Sequence, residues 1–114
     1  TVLVEPGRAS ELLEDIRLTG TIAVVFSRPS THRTIQLKGI DAEIVPVTAA
    51  DRRMAERHLG AWVQELVSIG YTADFAAAVR GRAEQGLAAI AFTPVAAFQQ
   101  TPGPAAGERL GAAP

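Results

Sequence analysis

The stretch from Gly20 to Gly39 restricts the fold more than any other part of the chain. Thr21-Ile22-Ala23-Val24-Val25-Phe26 is a run of β-branched, aromatic and small residues bounded by Gly20 and Pro29. Such a run suits a buried strand. Arg28-Pro29-Ser30-Thr31-His32 reads as a loop, and Thr34-Ile35-Gln36-Leu37-Lys38 alternates apolar and polar residues with the period of a half-buried strand. Gly39 marks a bend or bulge. Ile40 to Val47 is expected to continue as strand, giving a hairpin followed by a long, bent strand in an antiparallel arrangement.

Helices are expected on both sides of this hairpin. Residues 1–5 read as a strand closed by the turn signal Pro6-Gly7. Ser10 then suits the cap of a helix over 10–19, with Leu12, Leu13 and Ile16 on one face and Gly20 as its stop. Thr48-Ala49-Ala50-Asp51 has the spacing of a capping box, with Asp in the third position. The helix it opens, over 49–68, carries Ala55, Leu59, Trp62, Val63 and Leu66 on one face, while Arg52, Arg53 and Glu56 fall largely on the other. Thr72 suits the cap of a short helix through about Val79. Leu87 to Phe92 reads as a buried strand that Pro94 interrupts, and Val95 to Gln100 extends it on an edge, where proline is tolerated. Strands and helices do not alternate as βαβ units, so a doubly wound parallel sheet is not expected. The fold class read from this order is α+β: an antiparallel β-barrel over residues 1–100, with flanking helices, followed by a flexible Pro/Gly/Ala-rich tail over 101–114.

Composition narrows the function classes. The chain has 114 residues and a formal net charge of −1, which gives no ground for nucleic-acid or membrane attraction. It has no cysteine and only two histidines, His32 and His58, so thiolate and histidine-rich metal sites are not expected. No apolar run approaches a membrane span and no signal peptide is visible, so a cytoplasmic location is the default. The chain opens on Thr1 directly into strand-like sequence, and further N-terminal sequence is expected to precede it.

Few residues carry chemistry by themselves. Arg33 stands between the two strands of the hairpin, where its planar guanidinium suits a phosphate or belongs to a solvated loop. Arg8 and Ser10 precede or open a helix, where backbone N–H groups attract anions or simply make an ordinary turn. Ser30, Thr31 and His32 lack the strained elbow of a nucleophilic serine. No carboxylate pair stands out as a dyad. His58 reads as a surface or boundary histidine, and Trp62, at helical spacing, as core or interface. No catalytic residue is assigned.

These segments together resemble the pyridoxamine 5′-phosphate oxidase-like FMN-binding split-barrel family. Val24-Val25-Phe26 is similar to the family's Leu-Leu-Phe-like triplet. Arg33-Thr34-Ile35-Gln36-Leu37-Lys38-Gly39 is similar to its Arg-Gln-Val-Arg-x-x-Gly-like strand, and Ala97-Phe98-Gln99 to its terminal strand. The family's first strands have no counterpart in the chain. The resemblance implies a homodimer with FMN at the subunit interface and a small-molecule redox substrate. Carried over by position, it implies FMN contacts from Arg33, Thr34, Ser10 and Phe98, with Arg8 compensating for the basic positions that Glu11 and Leu12 occupy. The match has departures. Thr34 replaces the family's glutamine, Phe98 replaces a tryptophan, and Glu11 and Leu12 occupy two basic positions of its Ser-Arg-Lys motif. Arg109-Leu110-Gly111 lacks the histidine that contacts substrate in the true oxidases. The expected function is therefore an FMN-binding oxidoreductase-like protein of unknown substrate, not a pyridoxamine 5′-phosphate oxidase proper. The alternative is a non-catalytic dimeric module of the same fold that holds flavin, haem or no cofactor.

Overall fold

The computed structural model describes residues 1–75, 78 and 86–111. The fold is α+β, with two antiparallel sheets. The elements are β1 (Val2–Val4), α1 (Ser10–Thr19), β2 (Ile22–Ser27), β3 (Thr34–Gly39), β4 (Glu43–Val45), α2 (Ala49–Ser68), β5 (Ala88–Ala91), β6 (Ala96–Gln99) and β7 (Arg109–Leu110). One sheet has the order β1-β5-β4, the other β2-β3-β6-β7. Among the described residues the two sheets do not close into one barrel. No helix is long and apolar enough to cross a membrane among them.

The hairpin forms as the sequence predicts, with Ile22 opposite Gly39 and Ser27 opposite Thr34, but β2, expected to be buried, is a sheet edge along which only Ile22 is buried. Its loop closes through Arg28 N–H to Arg33 O at 2.9 Å and His32 N–H to Arg28 O at 2.9 Å. His32 has φ 57°, the left-handed conformation that completes a tight turn.

Beyond Gly39 the expected long strand does not run on. The chain leaves one sheet at Gly39 and enters the other at Glu43, so 40–42 is a crossing and not strand. The reason lies in packing. Gly39 is buried, and a Cβ placed on it would lie 2.5 Å from Phe92 Cδ2 and 3.2 Å from Thr93 O. The second crossing, from β5 to β6, therefore presses directly on the first. Pro94 lies in this second crossing, which separates 87–92 and 95–100 into different sheets. Contrary to the expectation of an edge, β6 is interior, between β3 and β7.

The core gathers Leu13 and Ile16 from α1, Ile22 from β2, Ala42 from the first crossing and Ile90 from β5, with Val4, Val24, Ile44 and Phe92 packed around them. Leu12, placed on the same face from sequence, is 39% exposed instead. Gly20 ends α1 in the left-handed conformation, as expected. The start of α1 differs from expectation: its cap residue is Ala9, without a side-chain hydrogen bond, and Ser10 is the first helical residue. Arg8 and Ala9 N–H donate to Glu5 O instead.

Helix α2 has both halves of its capping box, Asp51 N–H to Thr48 Oγ1 and Thr48 N–H to Asp51 Oδ2. Leu66 is buried, and Ala55, Leu59, Trp62 and Val63 are half-buried, so the stripe read from sequence is the inward face. Phe75 N–H donates to Thr72 Oγ1, and the expected end of that short helix lies outside the described residues. The segment from Thr101, expected to be a flexible tail, carries strand β7 paired to β6, with Phe98 opposite Arg109.

Candidate groove between the hairpin and helix α2

Sheet alternation places Phe26 and Ile35 side by side on one face of the β2–β3 pair, at its loop end. Both side chains stay exposed there, 45% and 37%, because the core is filled nearer Ile22. Across from this end lie His58 and Trp62, four residues apart on α2 and hence on one helical face. Between them is an open groove of about 570 Å³, lined by Val25, Phe26, Ser27, Arg28, Arg33, Ile35, His58 and Trp62. Its floor is apolar sheet, its wall an indole and an imidazole, and its rim two guanidinium groups.

One residue of α2 ties the helix to the hairpin. The Glu65 carboxylate accepts from Arg28 Nε at 2.8 Å and from Arg28 Nη2 at 2.7 Å, and its other oxygen accepts from Ser30 N–H at 3.2 Å. The Arg28 guanidinium, followed by the Ser30 N–H, holds the Glu65 carboxyl below the usual carboxylate range. Among the described residues, no other hydrogen bond or ion pair joins α2 to either sheet.

The five residues expected to hold a cofactor are dispersed. Arg33 alone lines the groove, and it has no ion-pair partner among the described residues. Thr34 follows it in β3, but its hydroxyl bonds to Ser27 Oγ at 2.9 Å and to His32 O at 2.9 Å, closing the hairpin base. Phe98, on β6, pairs with Gln36 of β3, with Lys38 Nζ 5.2 Å from its ring centroid. Arg8 is paired with Glu5 at 3.5 Å, and Ser10 is exposed at the start of α1. Among the described residues, no hydrogen bond or ion pair connects Arg8 or Ser10 to Arg33, Thr34 or Phe98. His32 is accounted for by its turn and does not line the groove.

The sequence places Arg28 in the hairpin loop, His58 at the surface or boundary and Trp62 in the core or an interface, and gives none of them, nor Glu65, a place in a site. The i, i+4 spacing of His58 and Trp62 was a visible signal, but it does not say what the helix faces. The groove offers apolar area for a flat ring system, an aromatic side chain to stack on it and cationic groups for an anion. Among the described residues no cluster of histidine, aspartate or glutamate suits a metal ion. No family model, curated protein or solved structure matches the chain.

Proposed function

We propose that the chain is an FMN-binding, oxidoreductase-like protein of the split-barrel type, working as a homodimer on a small-molecule redox substrate. The observation that carries this reading is the groove. Its size falls in the range typical of ligand sites, and it combines the apolar floor of Phe26 and Ile35 with Arg33, which has no ion-pair partner among the described residues, at its rim. A flavin needs this combination: an apolar slot for the ring and a fixed cation for the phosphate. The redox step would belong to the cofactor, and the protein would supply binding and orientation. The two crossings that bend the chain from one sheet to the other are consistent with a split-barrel wall. The homodimer is supported by the sheet edge at β2, whose six residues carry no charge and expose Val25 and Phe26. Edges of this kind are usually covered.

The pairing of Arg8 with Glu5, at the start of α1, favours a second reading. It takes one expected phosphate ligand out of service, as a non-catalytic module that binds flavin weakly or not at all would allow. Titration with FMN distinguishes the two. Under the first reading the protein binds FMN, and Arg33→Ala weakens binding by about tenfold to a hundredfold, since a charge-assisted contact contributes roughly 1.5–3 kcal/mol. A protein that cannot be loaded with FMN supports the second, whereas an Arg33→Ala affinity within about twofold of wild type removes Arg33 from the site.

A further inference from the structure

The Arg28–Glu65 contact has the form of a ligand site with its ligand already in place. Two guanidinium N–H groups of Arg28 converge on one carboxylate oxygen, and the Ser30 N–H takes the other. A guanidinium fork with a backbone N–H beside it is the usual cradle for a carboxylate or phosphate group. The donors belong to the hairpin loop, which its own hydrogen bonds hold closed: Arg28 N–H to Arg33 O, and Thr31 and His32 N–H to Arg28 O. The loop therefore fixes the backbone that carries these donors, whereas the carboxylate arrives from a helix 37 residues away. The next cation, Arg33, lines the same groove and has no carboxylate partner among the described residues. The Glu65 side chain is only 21% exposed, while that of Arg28 is 64% exposed. A dissolved anion can therefore approach Arg28 from the solvent side while Glu65 still occupies the inner position.

We propose that Arg28, the Ser30 N–H and Arg33 form an oxyanion seat at the groove's rim, and that Glu65 occupies this seat as an internal competitor. A ligand phosphate or carboxylate displaces Glu65 and takes over its three donors. Displacement also cuts the only polar tie between α2 and the hairpin among the described residues, so anion binding and movement of the His58–Trp62 wall are coupled. The apparent affinity of the seat is then its intrinsic affinity reduced by the fraction of molecules in which Glu65 fills it. This rests on the groove being the ligand site, but not on the ligand being a flavin.

Trp62 is the only tryptophan in the chain, so its fluorescence reports on the groove directly. Inorganic phosphate, acetate, FMN and riboflavin are titrated separately against wild type, Glu65→Ala and the double variant Arg28→Ala/Glu65→Ala. Alanine keeps helix propensity, so α2 is expected to persist. Glu65→Ala should tighten phosphate binding by about tenfold, and the double variant should lose that gain. Gain with phosphate but not acetate identifies the ligand group as a phosphate, and the converse identifies a carboxylate. Gain with FMN but not riboflavin assigns the seat to the flavin phosphate. Failure of every flavin arm with phosphate gain intact would remove the flavin reading and leave the seat standing. A phosphate and acetate affinity in Glu65→Ala within twofold of wild type, or a gain that survives in the double variant, overturns the seat. Should Glu65→Ala melt below the assay temperature, Glu65→Gln, which keeps the shape and removes the charge, must show a gain in the same direction.

Discussion

The Asp41 carboxylate accepts the Thr93 N–H at 2.7 Å and thereby joins the two segments through which the chain passes between its sheets. Asp41 lies in the first crossing and Thr93 in the second. The hydrogen bond holds Asp41 below the usual carboxylate range, with the Thr93 N–H as the main cause. A carboxylate whose folded pKa is depressed stabilises the protein above its unfolded pKa, and that contribution is lost as pH falls through the folded value. Asp51, held by the Thr48 N–H, and Glu65, held by Arg28, have the same sign. The melting temperature of wild type should therefore fall as pH drops below about 4, the ordinary carboxylate value. Asp41→Asn should melt lower at pH 7 and show a shallower acid slope, with Asp51 and Glu65 supplying the remainder. Thermal melts from neutral to acid pH check this, and identical slopes in the two proteins would remove Asp41 from the account.

The glycine at the same corner makes a sharper prediction. Gly39→Ala places a methyl group 2.5 Å from Phe92 Cδ2 and 3.2 Å from the Thr93 carbonyl oxygen. The ring can shift but the backbone oxygen cannot do so without moving the second crossing. Overpacking of this kind costs about 1–3 kcal/mol. Gly60, inside α2, is the control, because nothing lies within 4 Å of a Cβ built there. Gly60→Ala should stabilise by roughly 0.5–1 kcal/mol through helix propensity and reduced freedom of the unfolded chain. Urea unfolding of both variants should move the midpoints in opposite directions.

What could be read in the sequence and what could not divides by the range of the interaction. The capping box of Thr48 and Asp51, the stripe from Ala55 to Leu66 and the alternation of Thr34 to Lys38 are set by residues within one or two turns of each other, and all three are found. The expected strand beyond Gly39 is found only over Glu43–Val45, and its continuity from β3 is broken at a corner packed against Phe92 and Thr93, which local periodicity cannot bring to that place. Ser10 is not the cap because the Glu5 carbonyl oxygen satisfies the preceding N–H groups and shifts the helix start by one residue. At the groove, Arg33 was visible through its place in the hairpin. Arg28 and Glu65 were not, since their pairing spans 37 residues and depends on where α2 lies.

The fold-back after β6 rests on Thr101. Its hydroxyl oxygen accepts the Thr34 N–H at 2.9 Å in a half-buried position, 67 residues away in sequence, and its hydroxyl lies 3.3 Å from Gln99 Oε1. The neighbouring Gln100 N–H donates to Thr34 O at 2.8 Å. Thr101→Val keeps the shape but leaves the Thr34 N–H without its acceptor, which should cost about 1 kcal/mol, whereas Thr101→Ser should cost less because the oxygen remains. Amide exchange at Thr34 is the direct readout: faster in the valine variant and close to wild type in the serine variant.

The indole of Trp62 gives the last test, on the groove itself. It stands half-buried on α2 and lines the groove together with Phe26 and Ile35. A flat ring entering the groove meets the sheet on one side and the indole on the other. Aromatic pairs of this kind contribute about 0.5–1.5 kcal/mol beyond the area they bury. Trp62→Leu retains apolar bulk and helix propensity but removes the ring, so under the proposed flavin reading FMN affinity should fall by roughly twofold to tenfold. Riboflavin should lose the same factor, because the indole acts on the ring and not on the phosphate. Arg33→Ala should instead weaken FMN alone. A Trp62→Leu variant that binds both flavins as wild type does, with its melting temperature unchanged, would place the ring outside this groove.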